Sequence, residues 1–239
     1  MKTLRELRTK IFADGADKAG MCALYANPLI KGFTTNPTLM RKAGIADYEA
    51  FAKDILGAIP DRPLSFEVFA DEFSEMEQQA DKIAAWGPNV YVKIPITNTR
   101  GESSQSLIQR LADRGLKLNV TAMMPLEQVR DTCVSLRQSP SSYISVFAGR
   151  VADTGRDPVP MMAAAVELLR PYPNLELIWA SPRELLNIFQ ADAIGCHIIT
   201  VPPSMLEKYV ECSGKNLEQF SLATVRMFYD DAAKAGYVL

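Results

Sequence analysis

Eight short apolar, β-rich runs recur along a chain of 239 residues, each closed by a polar or turn residue and followed by a stretch with helical spacing. No linker or low-complexity tract interrupts that rhythm. Together these observations predict an α/β fold, a (β/α)8 barrel of the TIM type formed as a single domain over residues 1–239. An open doubly wound sheet more often holds five or six strands, whereas eight repeats with right-handed crossovers can close on themselves.

Taken in order, the runs fall at residues 10–14, 32–36, 64–70, 90–95, 116–124, 143–149, 175–181 and 196–202. Several are apolar on successive residues, as at Val90, Tyr91 and Val92 or at Ile198 and Ile199, which suits strands covered on both faces. Between the runs, residues 75–86, 103–114 and 161–169 carry apolar side chains three and four apart with charges between them, as helices packed on a sheet do. After the eighth run, 205–209 predicts a short helix and 216–234 an extra C-terminal helix, with a break at Gly214.

Lys and Arg number 26 and Asp and Glu 28, so the formal net charge of −2 supplies no broad attraction for nucleic acid or an anionic membrane. A small-molecule partner is expected instead. Cys22, Cys133, Cys196 and Cys212 show neither CxxC nor Cys/His spacing, which reads as reduced thiols without disulfide or zinc. The first ten residues are charged and lack the apolar core of a signal peptide, and no apolar run approaches the ~20 residues that span a bilayer. A cytoplasmic protein is expected. His197, the only histidine, reads as a packing residue in the middle of the last strand, and no GxGxxG or Walker segment is present.

In such a barrel the C-terminal ends of the strands face one shared pocket. Those ends carry Asp14, Asn36, Glu67, Lys93, Asn119, Thr121, Ser145, Arg150 and Ser181, with Arg183 just beyond. Lys93 is flanked by Val92 and Ile94. Removing an ammonium from water favours the free amine, which can attack a carbonyl to form a Schiff base; the alternative is a lysine paired with a strand-end carboxylate. Glu67 lies one strand earlier, within reach of the same pocket, and suits proton transfer in carbinolamine dehydration and iminium hydrolysis. A simple Glu67–Lys93 ion pair is compatible with that role. Asp14 is either a pocket group or the N-cap of the next helix. Asn119 and Thr121 alternate about Val120 and so share a face. Arg150, Ser181 and Arg183 follow the sixth and seventh strands, where barrels often bind phosphate, although a lone arginine there is more often a surface ion pair.

Two segments carry a resemblance that spans most of the chain. Residues Thr34-Thr35-Asn36-Pro37-Thr38 are similar to the TTNPS segment of the transaldolases and the related fructose-6-phosphate aldolases. Val92-Lys93-Ile94-Pro95 is similar to that family's Schiff-base lysine segment on strand four. The resemblance implies Lys93 as the covalent nucleophile, Asp14 as the general acid/base for C3–C4 cleavage, and Glu67 with Thr121 positioning the catalytic water. It implies a substrate site of Thr34, Asn36, Asn119, Ser145 and Phe147, with Asn36, Asn119 and Ser145 holding hydroxyls of the dihydroxyacetone part. It also implies a phosphate site of Arg150, Ser181 and Arg183.

The iminium is the electron sink, so the resemblance implies no metal or organic cofactor. It further implies sugar-phosphate substrates and a homo-oligomer, a pentamer or decamer, with Phe220, Val225 and Phe228 of the C-terminal helix as candidate contacts. Transaldolases tend to carry Glu and Phe where the aldolases carry Gln and Tyr, and Glu67 and Phe147 follow the transaldolase pattern. Asp14-Gly15-Ala16 departs from the usual Asp-Thr or Asp-Ser, and Pro182 separates Ser181 from Arg183. An aldolase releasing free dihydroxyacetone and a non-catalytic sugar-phosphate-binding barrel remain as alternatives.

Overall fold

The computed structural model describes residues 3–238; residues 1, 2 and 239 of the expected unit lie outside them. Eight parallel strands run β1 (Lys10–Asp14), β2 (Ile30–Thr34), β3 (Leu64–Glu67), β4 (Val90–Pro95), β5 (Leu118–Met123), β6 (Ser142–Val146), β7 (Leu175–Trp179) and β8 (Ile198–Val201). They close in sequence order, with β8 pairing back onto β1 through Lys10↔Ile198 to Ala13↔Val201. The surrounding helices are α1 (Lys18–Tyr25), α2 (Pro37–Lys42), α3 (Tyr48–Ala58), α4 (Phe73–Ala84), α5 (Gln105–Asp113), α6 (Leu126–Ser135), α7 (Ala148–Asp153), α8 (Pro158–Leu169), α9 (Leu186–Ala193), α10 (Pro203–Cys212) and α11 (Leu217–Ala235). The barrel predicted from the eight runs is the observed fold.

Strand alternation sorts the side chains. On β4, Val90, Val92 and Ile94 point outward into the core shared with the helices, and Tyr91 and Lys93 point inward. The helices meet that outer layer with residues such as Met76, Ala80 and Ile83 of α4 or Leu107, Ile108 and Leu111 of α5. Inside, the lower barrel is filled by Phe12, Tyr91, Tyr143, Ile178 and Ile198. Tyr91 and Tyr143 stack with centroids 4.1 Å apart, and Phe12 meets Tyr143 edge-on at 5.7 Å, contacts of about 0.5–1.5 kcal/mol each beyond their buried area. Gly32 makes room for this plug, since a Cβ there would stand 2.5 Å from the Phe12 ring.

The expected strand limits are corrected where the chain turns early. β2 ends at Thr34, because the Asn36 side chain accepts from Leu39 N at 3.0 Å and caps α2, with Pro37 at its first turn. β6 stops at Val146 as Phe147 leads into α7, and β3 stops at Glu67. His197 precedes β8 and is not in the middle of it; its Nδ1 accepts from Leu177 N at 3.1 Å, and burial holds its pKa below the ordinary histidine value. The C-terminal helix lies where 216–234 was expected, and none of its residues is buried. All four cysteines are unpaired, and among the described residues no helix is long and apolar enough to cross a membrane.

Candidate active site

The inward face above the aromatic plug is polar. Ser65 and Glu67 on β3, Lys93 on β4, Asn119 and Thr121 on β5, Ser145 on β6 and Thr200 on β8 follow the same alternation that buries Phe12, Tyr91 and Tyr143 below. Glu67, Lys93, Thr121, Ser145 and Thr200 open into a cavity of about 570 Å³ at the C-terminal ends of the strands. Eleven of the twelve residues singled out from the sequence line it: Asp14, Thr34, Asn36, Glu67, Lys93, Thr121, Ser145, Phe147, Arg150, Ser181 and Arg183. Asn119 is the exception. Fully buried in the floor, it donates to Ser65 Oγ at 3.0 Å and accepts from Ser145 Oγ at 2.7 Å. That bridge fixes the Ser145 hydroxyl from beneath.

Lys93 is only 5% exposed. Its Nζ donates to Thr35 O at 2.9 Å and stands 3.1 Å from Glu67 Oε2. The register Glu67↔Lys93 between β3 and β4 produces this meeting, and the largely buried ion pair is screened less than a surface one. Asp14 accepts from Thr34 Oγ1 at 2.7 Å, and Thr34 Oγ1 lies 2.6 Å from Thr200 Oγ1. Since Thr34 gives its one proton to Asp14, Thr200 is the donor of the second bond, and the chain runs from Thr200 through Thr34 to the carboxylate. Burial lifts the Asp14 carboxyl above its ordinary value, opposed by the positive charge of Lys93 and the Thr34 hydrogen bond. The N-cap alternative for Asp14 does not hold: α1 is capped by Asp17, which accepts from Gly20 N at 2.7 Å.

Thr121 Oγ1 is buried in the same wall without a hydrogen-bond partner in the protein, an unusual state for a hydroxyl. After it the chain bulges. The β5–β6 register shifts between Val120 and Met123, and Ala122 takes φ 63°, a left-handed conformation unfavourable for a residue with a Cβ.

At the far side of the mouth, Arg150 lies over the Phe147 ring at 5.2 Å, and Ser181 takes φ 59°. Arg183 Nε donates to Asp153 at 2.9 Å and Nη2 completes a bidentate pair, so its outer N–H groups stay directed away from that carboxylate. Gly149 lets the two loops meet, since a Cβ there would lie 1.5 Å from Ser181 O.

A family model described as transaldolase/fructose-6-phosphate aldolase matches residues 11–237. The chain belongs to the transaldolase/fructose-6-phosphate aldolase family. Similar members include a protein named probable transaldolase from Dehalococcoides mccartyi, 33% identical over 203 residues, covering 84% of this chain and 90% of that protein. A probable transaldolase 2 from Listeria monocytogenes is 34% identical over 200 residues, covering 83% and 87%. Among solved structures, 2,3-dimethylmalate lyase aligns with a TM-score of 0.56 over 98% of this chain and 86% of that one, at 13% identity. Orotidine 5'-monophosphate decarboxylase from Metallosphaera sedula aligns at 0.53 over 82% and 89%, at 12% identity. These two likenesses speak for the barrel alone.

The cavity lining of this family member also includes residues not singled out from sequence, among them Thr200, Lys42 and Ala122. Thr200 follows Ile198 by two positions, so the alternation that singled out Asn119 and Thr121 would have found it. Lys42, at the end of α2, reaches the rim only because Asn36 turns that helix over the mouth. Nothing in the sequence marks the left-handed turn at Ala122.

Proposed function

We propose that this family member is a Schiff-base transaldolase that moves a dihydroxyacetone unit from a ketose phosphate to an aldose phosphate. The observation that carries the reading is the buried Lys93 amine, held between Thr35 O and Glu67 in the floor of an open cavity with Asp14 on a neighbouring wall. Lys93 passes a proton to Glu67 and the free amine adds to the C2 carbonyl; Glu67 returns that proton as the carbinolamine oxygen leaves as water, and the iminium remains. Asp14, its basicity increased by burial, takes the proton of the C4 hydroxyl. The C3–C4 bond breaks, its electron pair moves into the iminium as an enamine, and an aldose phosphate departs. The enamine carbon then attacks an incoming aldehyde, whose oxygen takes the proton back from Asp14, and water adds to C2 to release the new ketose and the free Lys93 amine.

Thr121 Oγ1, buried and unpartnered by protein, supports a water held between it and Glu67. Arg150, with Ser181 and the free edge of Arg183, supports phosphate capture at the mouth, and Asn36 and Ser145 contact the hydroxyls of the three-carbon unit. Glu67 and Phe147 favour transfer over release of dihydroxyacetone. We further propose a cytoplasmic homo-oligomer in which α11 meets a neighbour, since Phe220, Val225 and Phe228 are exposed on a helix that buries nothing. Light scattering showing a monomer would refute the oligomer.

Intact mass after borohydride treatment with fructose 6-phosphate tests the chemistry. The expected result is a three-carbon adduct on the wild type and none on Lys93→Ala. An adduct on both, or on neither across a set of ketose phosphates, refutes the assignment. Product analysis with and without glyceraldehyde 3-phosphate then separates transfer from simple cleavage.

A further inference from the structure

We propose that Tyr48 is a positioning residue for Glu67, its hydroxyl replacing a missing rung of the barrel ladder where the carboxylate meets Lys93. The inference rests on the Schiff-base reading above. Between β2 and β3 the rungs run from Phe33 N to Pro63 O at 2.9 Å and from Thr35 N to Ser65 O at 3.1 Å. Continued by two residues, a parallel ladder would give the Glu67 carbonyl the N–H of residue 37 and would give the Thr35 carbonyl the N–H of Glu67.

The first bond cannot form, and the second is not made. Residue 37 is proline and has no N–H, and Thr35 O already accepts from Lys93 Nζ at 2.9 Å. One hydroxyl serves both orphaned groups: Glu67 N donates to Tyr48 Oη at 2.8 Å, and Tyr48 Oη donates to Glu67 O at 3.0 Å. The substitution releases the Thr35 carbonyl to hold the amine while keeping the end of β3 in place.

The phenol is itself well fixed. Asp47 caps α3 by accepting from Ala50 N at 2.9 Å, which sets Tyr48 at the first turn. Its ring meets Phe66, Phe69 and Trp86 at centroid distances of 6.3, 5.7 and 5.8 Å. Burial pushes the phenol pKa up, so the donor to Glu67 O keeps its proton across the working pH range. Tyr48 touches no reacting atom. It acts by setting where the Glu67 carboxylate stands as water leaves and returns at C2.

Exchange of oxygen between ¹⁸O-labelled water and the C2 carbonyl of fructose 6-phosphate reads that step without carbon–carbon cleavage. The original oxygen leaves as water when the iminium forms, and labelled water restores the ketone. Tyr48→Phe keeps the ring and is expected to slow exchange and kcat about tenfold, with KM changed less than about twofold, the scale of one lost positioning hydrogen bond. Placed on Glu67→Gln, the same change is expected to add no further loss, because it acts through the carboxylate. Rates are compared at equal folded fraction by near-ultraviolet circular dichroism. Wild-type exchange in Tyr48→Phe, or additive losses in the double variant, would overturn the inference. No exchange in the wild type would instead overturn the Schiff-base reading, and this inference with it.

Discussion

Gly149 offers the sharpest test of how the mouth of the cavity is assembled. An alanine Cβ at this position would stand 1.5 Å from Ser181 O, whereas Cβ atoms essentially never approach another heavy atom within 3.0 Å. The β6–α7 and β7–α9 turns must therefore separate by at least about 1.5 Å in Gly149→Ala, carrying Ser181 and the Arg183 side chain with them. Misplacement by an ångström is worth on the order of a hundredfold in rate, so kcat/KM for fructose 6-phosphate should fall about a hundredfold. Lys93 and Glu67 lie on β4 and β3 and not on the disturbed turns, so borohydride trapping of unphosphorylated dihydroxyacetone should change less than about threefold. Overpacking of about 1–3 kcal/mol lowers Tm by roughly 2–12 °C in a chain of this size. Steady-state kinetics beside the trapping assay read both arms. Equal losses for the phosphorylated and unphosphorylated compounds, or no loss for either, would refute the assignment of this corner to phosphate.

Two other substitutions address the charged groups. Burial raises the Asp14 pKa in the folded chain, so the folded state is disfavoured relative to an uncharged side chain as pH climbs from the unfolded value through the folded one. Asp14→Asn should therefore melt above the wild type at pH 8, with the gap closing at acid pH, while losing carbon–carbon cleavage and keeping the borohydride adduct. A gap that widened toward acid would reverse the sign of the argument. Arg150→Ala removes a rim guanidinium and should raise KM for phosphorylated donors about ten- to a hundredfold with little change in kcat, and the remaining difference should shrink in high salt; an unchanged KM would exclude it from the phosphate site.

The barrel was legible because period-2 and period-3.6 patterns alternate cleanly along the chain, and because polar residues on inward strand faces are conspicuous against apolar neighbours. Lys93 and Glu67 could be paired from their neighbouring strands, and the register bears that pairing out. Strand ends were less legible. Phe147 and Asn36 continue an apolar or β-like run in sequence, yet each belongs to a helix start, which at Asn36 is decided by its side-chain cap and by Pro37. Contacts between distant turns were invisible. The bidentate Asp153–Arg183 pair, the Gly149–Ser181 approach and the Tyr48 hydroxyl on Glu67 each join residues that only the packing of neighbouring strand–helix units brings together. Ala122 was unreadable for another reason: its left-handed backbone opposes its own local preference, so the surrounding fold imposes it.

The plug of Phe12, Tyr91 and Tyr143 beneath the cavity has a kinetic corollary. A packed floor gives the chamber one doorway, so whatever enters must later leave by the same route. If Lys93 retains three carbons of a first sugar, the severed fragment occupies the passage that a second sugar needs. Release must then precede entry, and double-reciprocal plots at several acceptor concentrations should be parallel.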